Sequence, residues 1–226
     1  MSKDRSFSVL IRTKNEERWI GHAIQSIIDF IPKNEIIIID NNSSDETLSI
    51  VSSFKKDPSY NDKDSNYTSI SVLNIQEYTP GKAINMGVEK ASFENIMIMS
   101  SHCVLKKINL TNIEKELIKF DAIFGNQIPI YNGKKIQKRY VWSHFAENQE
   151  INMFSEMENR YFFHNAISFF KKDTLIKNKF NEFLTGKEDR YWARDIIEKG
   201  GKILYSPEIL VDHHYTKNGN TWKGIG

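Results

Sequence analysis

Hydrophobic and polar positions in the first fifty residues alternate between a strand period and a helix period. The apolar stretches at 7–11 and 35–40 predict strands, and the second, EIIIID, is typical of a strand buried on both faces of a parallel sheet. Between them, apolar residues recur every three or four positions over 19–31, which predicts a helix. Ser43 and Glu46 have the spacing of a capping box, so a second helix is expected there. This order favours an α/β fold in which helices cover a parallel sheet.

The pattern continues for another fifty residues and then becomes less regular. Residues 55–69 are polar and turn-rich, which predicts a surface loop, and the aromatic-rich stretch 140–163 is expected to be partly helical. The other predicted elements are strands at 71–75, 95–99, 120–130 (with a break at Gly125), 202–205 and 209–211, and helices that begin at Pro80 and at Glu188.

Length and composition exclude several classes of protein. The 226 residues suffice for one domain with a sizeable core, and a net charge of +2 argues against a nucleic-acid partner. Cys103 is the single cysteine, which excludes an internal disulfide framework and a cysteine zinc cluster. No apolar run reaches the roughly 18 residues of a membrane-spanning helix, and the N-terminal residues MSKDRSF lack an apolar signal core. We therefore expect a cytoplasmic protein without a transmembrane segment.

Three polar clusters follow predicted strands, at 13–17, 40–45 and 100–102. In an open parallel sheet, ligands bind beyond the carboxyl ends of the strands, so these clusters are expected to converge on one pocket. Each cluster alone is also compatible with an ordinary polar turn. For Asp40 the two alternatives are a turn with a helix cap and a carboxylate that accepts a hydrogen bond from a ligand, such as a nucleobase.

The order of these segments resembles that of family 2 glycosyltransferases, which have the GT-A fold. The resemblance starts with FSVLIRTKNEERWIGHAIQSI and EIIIIDNNSSDETLSIV and continues through GKAINMG at 81–87. It includes the acidic pair Glu188-Asp189 followed by Trp192 and Arg194, and it ends with KILYSPEILVDHH. Together these segments span residues 7–214, which is nearly the whole chain.

The resemblance implies an α/β, Rossmann-like domain over 1–226, with a mostly parallel central sheet flanked by helices. Residues 1–105 would form the nucleotide-binding half and 106–226 the acceptor-binding half. The implied activity is inverting transfer of a sugar from a nucleotide-sugar donor to a hydroxyl of a glycan or lipid-linked acceptor, in the synthesis of bacterial surface polysaccharide. Residues implied in donor binding are Thr13, Asn15, Glu17, Asp40, Lys82, Asn85, Ser100, Ser101, His102 and Asn165.

One segment departs from the family pattern, because Ser100-Ser101-His102 stands where the family carries Asp-x-Asp for a divalent cation. A hydroxyl and an imidazole suit Mg²⁺ poorly, whereas imidazole suits Mn²⁺ and other transition metals. His102 could bind a metal ion together with His213 or His214, of which the alignment favours His214. Alternatively the enzyme is metal-independent and histidine or lysine side chains stabilise the leaving phosphate, or catalysis has been lost.

The pair Glu188-Asp189 matches the family's acidic pair, which assigns Asp189 as the catalytic base and Glu188 as a supporting residue. The alternative is that both acids only stabilise a helix N-terminus. The aromatic residues at 142–164 form either core or an acceptor platform. A third alternative is peripheral membrane association, in which this stretch docks a lipid-linked acceptor at the membrane, but no basic amphipathic stripe supports it.

Two other functions remain open at this point. One is a non-catalytic nucleotide- or glycan-binding module, which the missing Asp-x-Asp favours. The other is a sugar-phosphate nucleotidyltransferase, which the absence of a glycine-rich loop after the first strand disfavours.

Overall fold

The computed structural model describes residues 6–56, 67–136, 147–156 and 158–217. The strands are β1 (Ser6–Thr13), β2 (Lys33–Asp40), β3 (Tyr67–Asn74), β4 (Asn95–Ser100), β5 (Cys103–Lys107), β6 (Ala122–Tyr131), β7 (Lys134–Lys135), β8 (Glu150–Ile151), β9 (Phe154–Ser155), β10 (Arg160–Tyr161), β11 (Ile167–Lys171) and β12 (Ile203–His214). The helices are α1 (Ile20–Phe30), α2 (Thr47–Lys56), α3 (Pro80–Lys90), α4 (Leu110–Glu116), α5 (Lys172–Lys177) and α6 (Glu188–Glu198).

One large sheet organises the described residues, with the strand order β3-β2-β1-β4-β11-β6-β12-β5. Its longest ladders, β1 with β2, β2 with β3 and β6 with β12, are parallel, and β1 also runs parallel to β4. Strand β11 is antiparallel to both β4 and β6 and joins the two parallel parts. The predicted α/β fold with a mostly parallel sheet is confirmed.

The sheet separates two apolar cores, because successive side chains of a strand point to opposite faces. In β2, Ile36 and Ile38 belong to the core that includes α1, whereas Ile37 and Ile39 belong to the core that includes α3 and α6. Burial on both faces explains why the EIIIID run lacks the alternation of a half-exposed strand.

Helix α2 begins later than the capping-box spacing predicts. It starts at Thr47, whose backbone N–H donates to Asp45 Oδ1 at 3.0 Å. Ser43 does not cap the helix, because its hydroxyl donates to Asp40 Oδ1 at 2.6 Å and accepts from the N–H of Asn15 at 2.9 Å. A tertiary contact between two turns therefore replaces the expected local one.

The second half of the chain differs more from the prediction. Elements β5, α4, β11 and α5 are short and were not predicted, and the described part of 140–163 contains the short strands β8 to β10 and no helix. Residues 140–146 and 157 of that stretch, like 57–66 of the predicted loop, lie outside the described residues. None of the helices within the described ranges is both long enough and apolar enough to span a bilayer.

The two predicted late strands are one strand, β12, with a bulge opposite Gly125. The register with β6 passes directly from the pair Ser206–Gly125 to the pair Leu210–Asn126. The extra residues bring Ile209 against Gly125, so that β6 continues through the glycine instead of breaking there.

We expect Gly125→Ala to lower the free energy of unfolding by about 1–3 kcal/mol, because the new Cβ would lie 2.5 Å from Ile209 Cγ2 and 2.7 Å from Ile209 O. Urea denaturation of the purified variant measures the change. Gly186→Ala is the matched control, since no atom lies within 4 Å of its added Cβ. Equal stability of both variants would show that the bulge does not press on Gly125.

Candidate active site

A cleft of about 510 Å³ opens beyond the carboxyl ends of β1 and β4. These strands are parallel neighbours, so their last residues, Thr13 and Ser100, lie at the same edge of the sheet. Seven residues predicted from the sequence line this cleft: Thr13, Ser100, Ser101, His102, Asn165, Glu188 and Asp189. All three polar clusters thus reach the cleft, the second through Asn41 alone, together with the acidic pair at the start of α6.

A buried ion pair fixes that acidic pair to the central sheet. Arg12 Nη1 donates to Glu188 Oε1 at 2.7 Å, and their side chains are only 17% and 7% exposed. Burial by itself would lower the pKa of Arg12, but the neighbouring charge and hydrogen bond of Glu188 raise it above its ordinary value. Arg12 therefore stays cationic and holds the first turn of α6 at the cleft.

The neighbouring carboxyl, Asp189, has a shifted pKa. Burial, together with the negative charge of Glu188, raises the pKa of Asp189 from 3.8 to about 6, against the opposing effects of the Arg190 backbone N–H and the Arg12 charge. The N–H of Arg190 donates to Asp189 Oδ1 at 2.8 Å. A carboxylate with a pKa near neutrality is a better proton acceptor than an ordinary aspartate.

Two histidines meet at the inner wall of the cleft. The Nε2 atoms of His102 and His213 lie 3.0 Å apart, and each Nδ1 faces an oxygen. His102 Nδ1 is 3.3 Å from Glu16 Oε1, and His213 Nδ1 is hydrogen-bonded to Gln127 Oε1. Burial and the proximity of His102 lower the pKa of His213 well below 6.5, so His213 is neutral near pH 7.

His214, which the alignment favoured, does not line the cleft. Its ring stacks on Trp19 with centroids 3.7 Å apart, and its backbone N–H donates to the His102 carbonyl at 3.0 Å. Because neighbouring side chains of a strand face opposite ways, only one of the pair can enter the cleft. The structure places His213 there, which corrects the preference for His214.

Several buried polar groups at the cleft lack a partner within the described part of the chain. Thr13 Oγ1 and Asn165 Nδ2 are such groups, although Asn165 Oδ1 accepts from Ser168 Oγ at 2.9 Å. Burying an unpaired polar group is unfavourable, so both atoms favour a polar ligand that would pair with them. His164 also lines the cleft, and burial lowers its pKa to about 3, which keeps it neutral.

Asp40, Asn15 and Glu17 of the first two clusters bind residues of the two turns and do not line the cleft. Asp40 accepts hydrogen bonds from the Ser43 backbone N–H at 3.0 Å and from its hydroxyl. Asn15 Oδ1 accepts from the Ser44 N–H at 2.7 Å, and Glu17 Oε2 accepts from the Glu46 N–H at 3.0 Å. These bonds tie the turn after β1 to the turn after β2, and the neighbour Asn41 reaches the cleft.

Lys82 and Asn85 of α3 also lie away from the cleft lining. Lys82 pairs with Glu77 at 3.4 Å near the surface. Asn85 is buried, and its side chain donates to the Phe180 carbonyl at 2.9 Å and to Glu182 Oε1 at 2.8 Å. Asn85 therefore anchors the loop before α6. No pattern in the sequence indicated this role for Asn85.

Three cleft residues, Arg12, Gln127 and Arg160, were not predicted from the sequence. A weak signal exists for two of them. Arg12 is a charged residue inside a strand that is otherwise apolar, and Gln127 is a polar residue in the apolar part of β6. Their partners, however, lie 176 and 86 residues away in the chain.

The donor set at the cleft suits a transition metal better than Mg²⁺. Within the described ranges, no group of three or more His, Cys, Asp or Glu side chains could hold a metal ion. What converges is two imidazole nitrogens, from His102 and His213, with a carboxylate behind one of them. Imidazole with a carboxylate at its other nitrogen is a common transition-metal ligand, whereas Mg²⁺ prefers oxygen.

Comparison with known proteins identifies related chains. The profile of the family described as Glycosyl transferase family 2 matches residues 8–178. A GalNAc(5)-diNAcBac-PP-undecaprenol beta-1,3-glucosyltransferase of Campylobacter jejuni is 28% identical over 85% of this chain. A dolichyl N-acetyl-alpha-D-glucosaminyl phosphate glycosyltransferase of Methanococcus voltae, which transfers a diacetamido-dideoxy-glucuronosyl group by its name, is 25% identical over 93% of this chain. The chain spans 60% and 67% of the lengths of these two relatives.

Solved structures share the fold. Staphylococcus aureus TarS in complex with UDP-GlcNAc has a TM-score of 0.66 and 19% identity over 95% of this chain, which covers 60% of the TarS fragment. The mannosyltransferase PcManGT of Pyrobaculum calidifontis, in complex with GDP-Man and Mn²⁺, also has a TM-score of 0.66, with 17% identity over 94% of this chain and 58% of its own.

We expect Arg12→Met to destabilise the fold by about 3–5 kcal/mol, because it leaves the Glu188 carboxylate buried without its partner. Adding Glu188→Gln should recover much of that loss, since a neutral amide is less costly to bury than an unpaired charge. Denaturant titration of the two single variants and the double variant measures the coupling. Additive losses would show that the two side chains do not depend on each other.

Proposed function

Because the chain belongs to glycosyl transferase family 2, we propose that its cleft binds a nucleotide-sugar donor and transfers the sugar to a hydroxyl of a glycan or lipid-linked acceptor, with inversion at the anomeric carbon. The observation that carries the proposal is the position of Asp189. A carboxyl with a raised pKa lies in the same cleft as two buried, unpartnered polar groups, at the carboxyl edge of the sheet. The Campylobacter relative supports a lipid-linked acceptor, because it is a glucosyltransferase named for an undecaprenol-linked glycan.

The donor side of the cleft is the floor formed by β1, β4 and the residues before β11. Thr13 Oγ1 can donate to or accept from the donor, and Asn165 Nδ2 can only donate. Both suit the hydroxyls and phosphate oxygens of a nucleotide sugar. Asp40, Asn15 and Glu17 have a supporting role in this proposal, because their hydrogen bonds set the shape of the two turns that border the site.

The acceptor side is the rim at the start of α6. Asp189 takes the proton of the acceptor hydroxyl as its oxygen attacks the anomeric carbon. The bond from the anomeric carbon to the diphosphate oxygen breaks on the opposite face, and the nucleoside diphosphate leaves with that electron pair. One displacement of this kind inverts the configuration. Glu188 is bonded to Arg12 and holds Asp189 in place without needing to touch substrate.

The leaving diphosphate needs positive charge or hydrogen-bond donors close to the histidine pair. His102 and His213 are the residues that would hold a divalent cation, which would offset the charge of the diphosphate. The metal-free alternative uses Arg12, Lys14 and Arg160, which line the same cleft, as the stabilising groups. We favour the cation because two of these three groups are already paired, Arg12 with Glu188 and Arg160 with Glu158. Assembly of a surface polysaccharide is the setting that fits such an enzyme.

Replacing the proposed base should remove turnover but keep donor binding. We expect Asp189→Asn to lower kcat by about 100-fold or more, while the affinity for nucleotide stays within a few-fold. In the unsubstituted enzyme, kcat/KM should fall as the pH drops below about 6, because Asp189 must be ionised to accept a proton. A transfer assay with a panel of nucleotide sugars and a polyprenyl-diphosphate glycan acceptor measures both effects.

The matched control for this test is Asp195→Asn on the same helix, where Asp195 is exposed and pairs with Arg194. It should leave kcat and the pH profile unchanged. Turnover of Asp189→Asn near that of the unsubstituted enzyme would refute the assignment of the base.

Metal dependence should follow the histidine pair. We expect one nucleotide among UDP, GDP, CMP and TDP to raise the melting temperature, and Mn²⁺ to enlarge this shift more than Mg²⁺ does. His213→Ala should abolish the Mn²⁺ contribution, each variant being compared with its own nucleotide-free sample. His214→Ala is the control and should retain it. Equal shifts in Mn²⁺ and in EDTA would contradict a metal site and support direct stabilisation of the diphosphate.

A further inference from the structure

An exposed aromatic side chain stands beside the cleft. Phe183, in the loop between α5 and α6, is 94% exposed, more than any other large apolar residue within the described ranges. Two further apolar side chains on the flanking helices are exposed as well, Ile176 at 50% and Tyr191 at 40%. Single exposed apolar residues are ordinary, but several around one loop indicate a surface that contacts something apolar.

A positively charged groove adjoins this loop. A groove of about 580 Å³ runs between α5 and α6 and includes Tyr191. Its charged lining residues are four cations, Lys177, Lys179, Arg194 and Lys199, and one acid, Asp195. Lys179 pairs with Glu89 at 2.9 Å, and Arg194 with Asp195. Lys177 and Lys199 form no ion pair within the part of the chain that the structure describes, so their charges are available to a partner.

The loop that carries Phe183 is held firmly. Thr79 Oγ1 donates to the Glu182 carbonyl at 2.7 Å, and Asn85 binds both Phe180 and Glu182. The N–H of Phe183 itself donates to Asn181 Oδ1 at 2.9 Å. These bonds present the phenyl ring outwards on an anchored turn, so its exposure is a property of the fold.

We propose that Ile176, Lys177, Phe183, Tyr191 and Lys199, here called the Phe183 face, bind the surface of an anionic lipid bilayer. Aromatic side chains enter the interface of a membrane while lysines stay at the headgroups and pair with anionic lipid. Lysine is depleted at the centre of protein–protein interfaces, which favours lipid over a protein partner here. The charge of the groove selects anionic over neutral headgroups.

The same loop connects this face to the cleft. Asn181 and Leu184 line the groove, whereas Thr185 and Gly186 line the cleft. A bilayer that receives Phe183 would therefore lie at the mouth of the cleft, where the headgroup of a lipid-linked acceptor could reach Asp189. This part of the inference rests on the function proposed above. Of the two acceptor classes given there, it favours the lipid-linked acceptor and not a soluble glycan.

Sedimentation with vesicles tests the Phe183 face directly. We expect the protein to bind vesicles that contain phosphatidylglycerol and not vesicles of phosphatidylcholine alone. Phe183→Ser should weaken binding at least about ten-fold, and Lys177→Glu and Lys199→Glu at least about five-fold each. High salt should weaken binding of the unsubstituted protein, because the lysine contribution is screened.

The matched controls are Ile118→Ser and Lys115→Glu. Ile118 is 81% exposed, and the helix before it packs through Ile113 and Leu117 on the opposite face of the sheet from α6. These variants should bind vesicles like the unsubstituted protein. Equal loss in Phe183→Ser and Ile118→Ser, or no preference for phosphatidylglycerol, would overturn the proposal. So would a dimer in solution that Phe183→Ser dissociates, since it would assign the face to a second copy.

Failure of this inference is distinguishable from failure of the proposed function. All variants should keep their melting temperature and the nucleotide-induced shift, because none of the substituted residues lines the cleft. Phe183→Ser should slow transfer to an acceptor in vesicles but not to a short-chain acceptor in solution. Loss with both acceptors would contradict a membrane role, whereas full activity of Asp189→Asn with intact vesicle binding would contradict only the proposed base.

Discussion

The ion pair between Arg12 and Glu188 is the contact on which the arrangement of the cleft depends. It joins the central strand to the first turn of α6, across 176 positions of sequence. A lone buried charge is unfavourable on either side, so removal of either side chain would leave the other buried without its partner. The ion pair also gives the two adjacent acids, Glu188 and Asp189, different surroundings. Glu188 is paired with Arg12, whereas Asp189 has a raised pKa in the same environment. One structural contact thus fixes Glu188 to the central sheet and leaves the Asp189 carboxyl in the cleft.

The opposite wall of the cleft carries hydroxyl and imidazole groups and one carboxylate, Glu16. The resemblance leads one to expect Asp-x-Asp at Ser100-Ser101-His102, whereas Glu16 lies behind His102 and accepts a hydrogen bond from Thr216. In the function proposed above, such a wall would repel a donor diphosphate less than two aspartates would. It also binds a hard cation less strongly, so the choice of metal and the affinity for the donor change together.

The loop before α6 links three parts of the molecule. It is bonded to α3 through Thr79 and Asn85, it forms part of the cleft rim, and it carries Phe183 outwards. Asn85 therefore matters through the loop it holds and not through contact with the cleft lining. One short loop therefore connects the rim of the cleft with the exposed surface around Phe183.

The sequence by itself determined the α/β fold, the parallel order of its first strands and the meeting of Thr13, Ser100 and His102, because strand periods and parallel connections are local properties that constrain topology. The family resemblance placed Glu188-Asp189 at the same site. Only the tertiary structure decided which histidine enters the cleft, that Ser43 accepts from the Asn15 N–H instead of capping a helix, and that Arg12 and Gln127 belong to the site. Those outcomes depend on strand register and on contacts between distant segments, which no local pattern encodes. The short elements of the second half were missed for the same reason, since long-range packing and not intrinsic propensity stabilises them.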